Sequence, residues 1–371
     1  MRYAMIMAGG AGTRLWPMSR AGQPKQLVPF IARDSGQRVS LLRIAADRLE
    51  GLVPLPQRLI CTGEAHREAI KQAIPGFADA QLLGEPEGRD TANAVGFAAA
   101  VLHKQDPEAI FAVLTADHLI TPEDEFRRLI GLGFDLVEED PARLVTFSIK
   151  PTYPATGFGY VERSTAISGA KYGGLAYNVE RFVEKPSLER AQAYVESGAF
   201  GWNSGMFVWK AATILDCLRR YKPESYEGLM KIAEAWGTAK QADVLREVYP
   251  TLPKISVDYA VMEPASREQK RSKSIKVCTM IMDLSWLDVG SWPSYGETLD
   301  ADASGNRVSG RAAMHGGKKN LVVSDDPEHL VALVGCEGLI VVHTARATLV
   351  MPADQAQDLK ALHAGLPAEL R

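Results

Sequence analysis

MAGGAGTRLWPMSRAGQPKQL, residues 7–27, decides how this chain is read. It follows a short apolar run at residues 3–8, YAMIMA, which reads as a buried strand. The loop behind that strand carries Gly9, Gly10 and Gly12 together with Arg14 and Lys25. Three phosphate-binding designs are open to such a loop. A dinucleotide fingerprint needs G-x-G-x-x-G, but Leu15 stands where the third glycine belongs. A P-loop needs a glycine directly before its lysine, and Lys25 has none. The third design is a long glycine-rich loop whose backbone N–H groups wrap a polyphosphate, with Arg14 and Lys25 as charged clamps. Glycine allows positive φ and close approach, arginine offers a planar fork, and lysine offers a movable point charge. An ordinary glycine turn with exposed basic residues is the competing reading. The position after the first strand, with both cations in one loop, favours a nucleotide.

Outward from the loop, strand and helix patterns alternate. Strands are expected at residues 58–61, 110–114 and 144–149, and helices at 40–49, 64–74, 91–104 and 123–138. That spacing predicts an α/β fold with a mainly parallel sheet covered on both faces. The middle is less regular, with strands in TGFGYVER, LAYNVERFVEK and GMFVWK and helices at 187–197, 211–221 and 224–236. At residues 297–310 the composition turns small and polar, which places a domain boundary near Leu299. The expected organisation is a large α/β domain over residues 1–299 and a small β-rich unit over 300–371.

The 371 residues are 46% hydrophobic and 23% charged, with a net charge of −3, so bulk electrostatics give no case for nucleic acid. Cys61, Cys217, Cys278 and Cys336 are scattered, with no C-x-x-C pair, so neither a disulfide framework nor a zinc site is expected. No apolar run reaches the roughly 20 residues of a membrane span. A cytoplasmic protein is the expectation.

Several stretches could carry chemistry. EPEGRDTANA, residues 85–94, reads first as a helix cap with a surface ion pair. TADH, residues 115–118, ends a hydrophobic strand. Asp117 there is either a turn residue or a hard oxygen ligand for a hard cation, where open α/β sheets place their ligands. WLDVGSW, residues 286–292, supplies Asp288, far away in sequence. TGFGY (156–160), VEKP (183–186) and WNSGMF (202–207) offer Gly159, Glu184, Lys185 and Asn203. Asp258 in DYAVMEP reads as a cap or supporting residue, and the basic run REQKRSKSIK (267–276) as a solvated turn.

The loop GGAGTRLWPMSRAGQPKQ resembles the signature of the sugar-1-phosphate nucleotidylyltransferases, and its RLWPMSR wording looks like the mannose-1-phosphate guanylyltransferases. The motifs above recur in the family order along most of the first 300 residues. The resemblance implies a Rossmann-like, GT-A-type catalytic domain with a mixed, mainly parallel sheet. It implies GTP and mannose 1-phosphate as substrates and in-line transfer without a covalent intermediate. Ala8, Gly9, Gly10, Gly12, Thr13, Arg14, Glu85, Arg89 and Thr91 would bind nucleotide. Gly159, Glu184, Lys185 and Asn203 would bind the sugar phosphate, Asn203 both donating to and accepting from a hydroxyl. Arg14, Lys25, Asp117, Lys185 and Asp288 would be catalytic, with Asp117 and Asp288 holding Mg²⁺. Glu85 is expected to accept from guanine N1–H and the exocyclic amine. The family pattern is near EPxxRNTAPA, from which this chain departs at Asp90 and Asn93. Short family members end in a partial left-handed β-helix that helps them dimerise, which makes a homodimer an expectation. Longer ones carry an isomerase domain that is not expected here.

Overall fold

The structure, a computed structural model, describes residues 1–10, 12–33, 36–272 and 274–371. Ala11 of the glycine-rich loop and Lys273 of the basic run lie outside them. Nine strands form the central sheet: β1 (Arg2–Met7), β2 (Arg58–Gly63), β3 (Leu82–Glu85), β4 (Ile110–Thr115), β5 (Arg143–Ile149), β6 (Tyr160–Ala166), β7 (Ala176–Val183), β8 (Phe200–Lys210) and β9 (Lys276–Met282). Their order is β3-β2-β1-β4-β8-β5-β9-β7-β6, and β6 also pairs with β8. Reading the pairings in turn, seven strands run one way, and β7 and β8 run against them. The sheet is therefore mixed: most strands share one direction, but four pairings are parallel and five antiparallel, so the expected parallel pairing holds for β3-β2-β1-β4 and for β5-β9, while the two reversed strands make the other pairings antiparallel.

Alternation explains why β1 sits at the centre. Tyr3 and Met5 enter the core on one face while Ala4 and Ile6 enter the core on the other. A strand buried on both faces reads as a continuous apolar run. Helices α1 (Asp90–Gln105), α3 (Ala211–Tyr221) and α4 (Pro223–Ala235) pack against each other on the first face, and α2 (Glu123–Glu139) covers the second. Gly96 of α1 lets α3 and α4 approach: a Cβ there would stand 2.4 Å from Leu229 Cδ1 and 2.8 Å from Leu218 Cδ1. Ser40 and Ser187 cap the helices that follow them by accepting from Arg43 N and Arg190 N.

Beyond the central sheet, β10 (Arg307–Ser309), β11 (Arg311–His315), β12 (Leu321–Ser324), β13 (Leu330–Val334), β14 (Leu339–Thr344) and β15 (Ala347–Pro352) form a β-helix-like unit. β10, β12 and β14 pair in parallel, as do β11 and β13, and β15 closes antiparallel on β14. Buried Asn306 and Asn320 form a ladder at one corner, Asn320 Nδ2 donating to Asn306 Oδ1 at 3.1 Å. The small polar segment at 297–310 contains β10, the first strand of this unit. No helix among the described residues is long and apolar enough to cross a membrane.

Candidate active site

Parallel strands deliver the site. Glu85 ends β3, the glycine-rich loop leaves β1, and Asp117 follows β4, so three chemistry-bearing segments emerge at the same edge of the sheet. Asp288 arrives differently. Ser285–Asp288 pairs antiparallel with His118–Thr121, in a register that sets Asp288 opposite His118. The two aspartates, unconnected by any local spacing, become neighbours through that pairing.

The loop is held from behind. Gln26 Nε2 donates to the Gly9 carbonyl and Ser19 Oγ to the Gly12 carbonyl, at 2.5 and 2.6 Å. Among the described residues, the backbone amides of Gly9, Gly10 and Gly12 donate to no protein group. Gly10 and Gly12 have φ of 98° and 63°. A Cβ on Gly12 would also stand 2.8 Å from Lys25 Cβ. Thr13 and Arg14 begin the short turn Thr13–Leu15 that follows. Ala8 is spent on structure: its N–H donates to Cys61 O and its carbonyl accepts from Thr62.

A cleft of two lobes lies over these residues. One lobe, about 700 Å³, is lined by Gly9, Gly10, Glu85, Thr91 and Asp117. The other, about 440 Å³, is lined by Arg14, Gly159, Glu184, Lys185, Asn203 and Asp288. Met7, Thr91, Thr115 and Asp117 line both, so Asp117 stands at the junction.

In the first lobe Glu85 is buried and takes a 2.6 Å hydrogen bond from Tyr249 Oη. Burial pushes its carboxyl above the ordinary value, against the pull of Tyr249 and the Arg89 backbone N–H. The Arg89 side chain does not join the cleft: it pairs with Glu87 and donates to the Pro250 carbonyl. What Arg89 gives the site is its backbone. Thr91 Oγ1 accepts from Val257 N at 2.9 Å. Asp90 occupies a φ of 64°, a region that Asn and Asp tolerate better than other side chains, so the departure from the family Asn is conformationally neutral. Asn93 donates to Arg89 O and Pro253 O, tying the start of α1 to the segment that carries Tyr249.

At the junction Lys25 Nζ lies 2.6 Å from Asp117 Oδ2. Burial works to raise the Asp117 carboxyl, but Lys25 and His118 together hold it below the ordinary value. Asp288 goes the other way, raised by burial and by the charge of Asp117. Its Oδ1 is buried with no hydrogen-bond partner among the described residues. One ligand atom each of Asp117, His118 and Asp288 fall within 4.8 Å of one another. The Trp286 indole N–H donates to His118 Nδ1 at 3.1 Å, which puts the proton of the neutral imidazole on Nε2, facing Asp117. His118 Nε2 lies 3.8 Å from Asp117 Oδ1, beyond hydrogen-bond reach, and burial lowers the His118 pKa. Two adjacent carboxylates, one with an orphaned buried oxygen, fit a hard divalent cation.

In the second lobe Gly159 is glycine because Glu184 packs onto it: a Cβ would meet Glu184 Oε2 at 2.4 Å. Glu184 pairs with Lys185 at 3.0 Å. Asn203 needs a correction. Its carbonyl already accepts from Thr146 Oγ1 and Gly205 N, and one N–H goes to Asp258 Oδ1 at 2.9 Å. It has a single N–H left for a ligand, so it cannot both donate to and accept from a hydroxyl. Asp258, read from sequence as a cap or supporting residue, lines this lobe itself. Burial and then the charge of Glu184 push it up to about 7. Sequence reasoning passed over Ser19, Gln26 and Tyr249 as well. Only the position of Gln26 next to Lys25 could have flagged one of them.

Residues 3–305 match the family described as Nucleotidyl transferase, and residues 316–364 match the MannoseP isomerase/GMP-like beta-helix domain. The chain is a nucleotidyltransferase enzyme, acting on sugar 1-phosphates. A mannose-1-phosphate guanylyltransferase of Escherichia coli is 36% identical over 365 residues, spanning 97% of this chain and 73% of that protein. A crystal structure described as mannose-1-phosphate geranyltransferase from Thermus thermophilus superposes with a TM-score of 0.81 at 32% identity, covering 97% of this chain and 98% of that one. This chain belongs to the mannose-1-phosphate guanylyltransferase family.

Proposed function

We propose that the protein transfers GMP from GTP to α-D-mannose 1-phosphate, giving GDP-mannose and pyrophosphate. The observation that carries this reading is the convergence of Asp117, Asp288, Lys25 and Arg14 where the two lobes meet. The nucleotide takes the lobe of Glu85 and Thr91, its phosphates run along the amides of Gly9, Gly10, Gly12 and Thr13, and the sugar phosphate takes the lobe of Gly159, Glu184, Lys185 and Asn203.

A phosphate oxygen of the sugar phosphate attacks the α-phosphorus of GTP in line, the bond to the β-phosphate oxygen breaks, and pyrophosphate leaves with that electron pair. The attacking phosphate is already ionised near neutral pH, so no general base is required. Both reactants are anions, and positioning and charge stabilisation dominate. Arg14 stabilises the departing pyrophosphate, Lys25 the reacting phosphates and Lys185 the sugar phosphate. Asp117 and Asp288 would hold Mg²⁺, which when bound neutralises the charge gathered between the two substrates. His118, fixed by Trp286, stands beside Asp117.

Residues 1–299 act as the catalytic unit and 300–371 as the accessory unit. A cytoplasmic homodimer completes the reading, checked by solution mass. A panel of nucleoside triphosphates against sugar 1-phosphates, read by pyrophosphate release, tests the substrates. Highest kcat/KM for GTP with mannose 1-phosphate supports them, and a better pair replaces them.

A further inference from the structure

The residues around Arg14 do not share a core with the central sheet. Leu15, Trp16 and Met18 form one apolar cluster with Val289, Trp292 and Tyr295 and with Leu321, Val323, Ile340, Val342 and Leu349 of the β-helix-like unit. Val28, Phe30 and Leu41 join the cluster, so Arg14 rests on a platform to which the last third of the chain contributes most of the residues. So does Asp288, which Val289 follows directly.

Trp16 is the node of this platform. Its indole N–H donates to the Leu370 carbonyl at 2.7 Å. Its own carbonyl accepts from the Trp292 indole N–H at 2.9 Å. The bond from Trp292 is buried and the bond to Leu370 is partly buried. Ala21 N adds a third tie, donating to the Arg371 carbonyl at 3.1 Å. The segment that receives these bonds is itself folded down: Arg371 donates to Leu366 O and Ala364 O, and Arg346 to Glu369 O. One aromatic residue thus joins the Arg14 turn, the segment after Asp288 and the end of the β-helix-like unit.

We infer that Trp16 is a positioning residue for nucleotidyl transfer, through which the β-helix-like unit holds Arg14 in register with Asp288. The physical reason is leverage. Glycines give the loop the freedom to wrap a triphosphate, and that same freedom would let Arg14 wander. Transition-state charge stabilisation falls steeply with misplacement of about 1 Å. A rigid unit packed behind Leu15 and Trp16 removes that freedom without touching substrate. The inference rests on the proposed roles of Arg14 and Asp288.

The test uses the full chain and two lesions in the same link. Trp16→Phe keeps the ring packing and deletes the donor to Leu370, and a chain lacking residues 366–371 deletes the acceptor. Each is assayed with whichever substrate pair the parent turns over best, so failure of the GTP and mannose assignment does not disable the test. Thermal melting verifies the folded fraction at the assay temperature. The expected result is a kcat about tenfold lower in Trp16→Phe, with both KM values within about twofold of the parent. The shortened chain shows the same split, and the double lesion costs no more than the single ones. Faster hydrogen exchange in a peptide covering residues 9–16 accompanies the loss. Unchanged kcat in Trp16→Phe overturns the inference. So does a loss that only tracks the folded fraction, or a loss in the double lesion equal to the product of the two singles. If the shortened chain does not fold, Trp16→Phe with its exchange measurement decides alone.

Discussion

The Lys25 ammonium lies 2.6 Å from Asp117 Oδ2, and Asp117 in turn raises Asp288 by its charge. Lys25 thus partly neutralises a pair of carboxylates that repel each other, and it occupies one of the oxygens a cation would use. Lys25→Ala should cut kcat on the order of a hundredfold, as for loss of a transition-state charge partner. It should also lower the Mg²⁺ concentration needed for half-maximal rate, because a competing cation has gone. Mg²⁺ titrations of both proteins read the two effects separately. Asp117→Asn should lose a similar factor in kcat with the opposite change in Mg²⁺ demand, and EDTA should stop the parent enzyme until Mg²⁺ is restored.

Gly12 combines a φ of 63° with a backbone that would place a Cβ 2.8 Å from Lys25 Cβ. Gly10 has a φ of 98° and nothing within 4 Å of its would-be Cβ. Gly12→Ala should therefore push Lys25 off Asp117 and cost kcat at least about tenfold, whereas Gly10→Ala carries backbone strain of about 1–2 kcal/mol alone. Steady-state kinetics on the two variants, with melting temperatures, separates displacement from strain. Equal kcat losses would remove the steric argument.

Tyr249 Oη holds Glu85 Oε1 at 2.6 Å, with Glu85 Oε2 on the side of the Gly9 loop. A carboxylate fixed in this way offers two acceptors to the N1–H and amine edge of guanine, which adenine cannot match. Glu85→Gln should raise the KM for GTP roughly tenfold or more and leave that for the sugar phosphate near the parent value. Tyr249→Phe should shift the same parameter by a smaller factor, since it frees the carboxylate to turn. Ratios of kcat/KM for GTP over ATP give the readout, and equal effects on both substrates would sink the assignment.

The sequence carried the parallel half of the fold because its signals are local. YAMIMA, the capped helix after Ser40 and the apolar run before Asp117 each announce an element within a few residues, and each forms within a residue or two of its expected bounds. The pairing of Asp288 with His118 could not be read that way. It depends on two four-residue strands some 170 positions apart, which no periodicity connects, and only the family resemblance placed both aspartates in one site. Tyr249 was missed for the same reason, and Asp258 was read only as a cap or supporting residue. Each sits in a helical segment whose own pattern speaks only of capping and packing. The roles of Gln26 and Ser19 depend on side-chain bonds back to glycine carbonyls, which leave no trace in composition.

Asp258 gives a pH signature. Burial and the charge of Glu184 lift its carboxyl to about 7, far above an unfolded aspartate near 3.9. A raised acid binds more protons in the folded state than in the unfolded one between those two values. Its contribution makes stability greatest at low pH and reduces it as pH climbs from about 4 to about 7, after which the contribution is flat. Asp258→Asn removes the charge yet keeps an oxygen to accept from Asn203. Scanning thermal melts of parent and variant across pH should therefore show the variant gaining most stability at pH 8 and little or nothing below about pH 3.5. Lys185 and Glu184 face the same lobe, and burial raises the Glu184 carboxyl, so the scan should be run without sugar phosphate and repeated on a Glu184→Gln background. A variant less stable than the parent at pH 8 would mean that Asp258 is held ionised by Lys185 at no net cost, and its place would then be that of a counter-ion in the sugar-phosphate lobe.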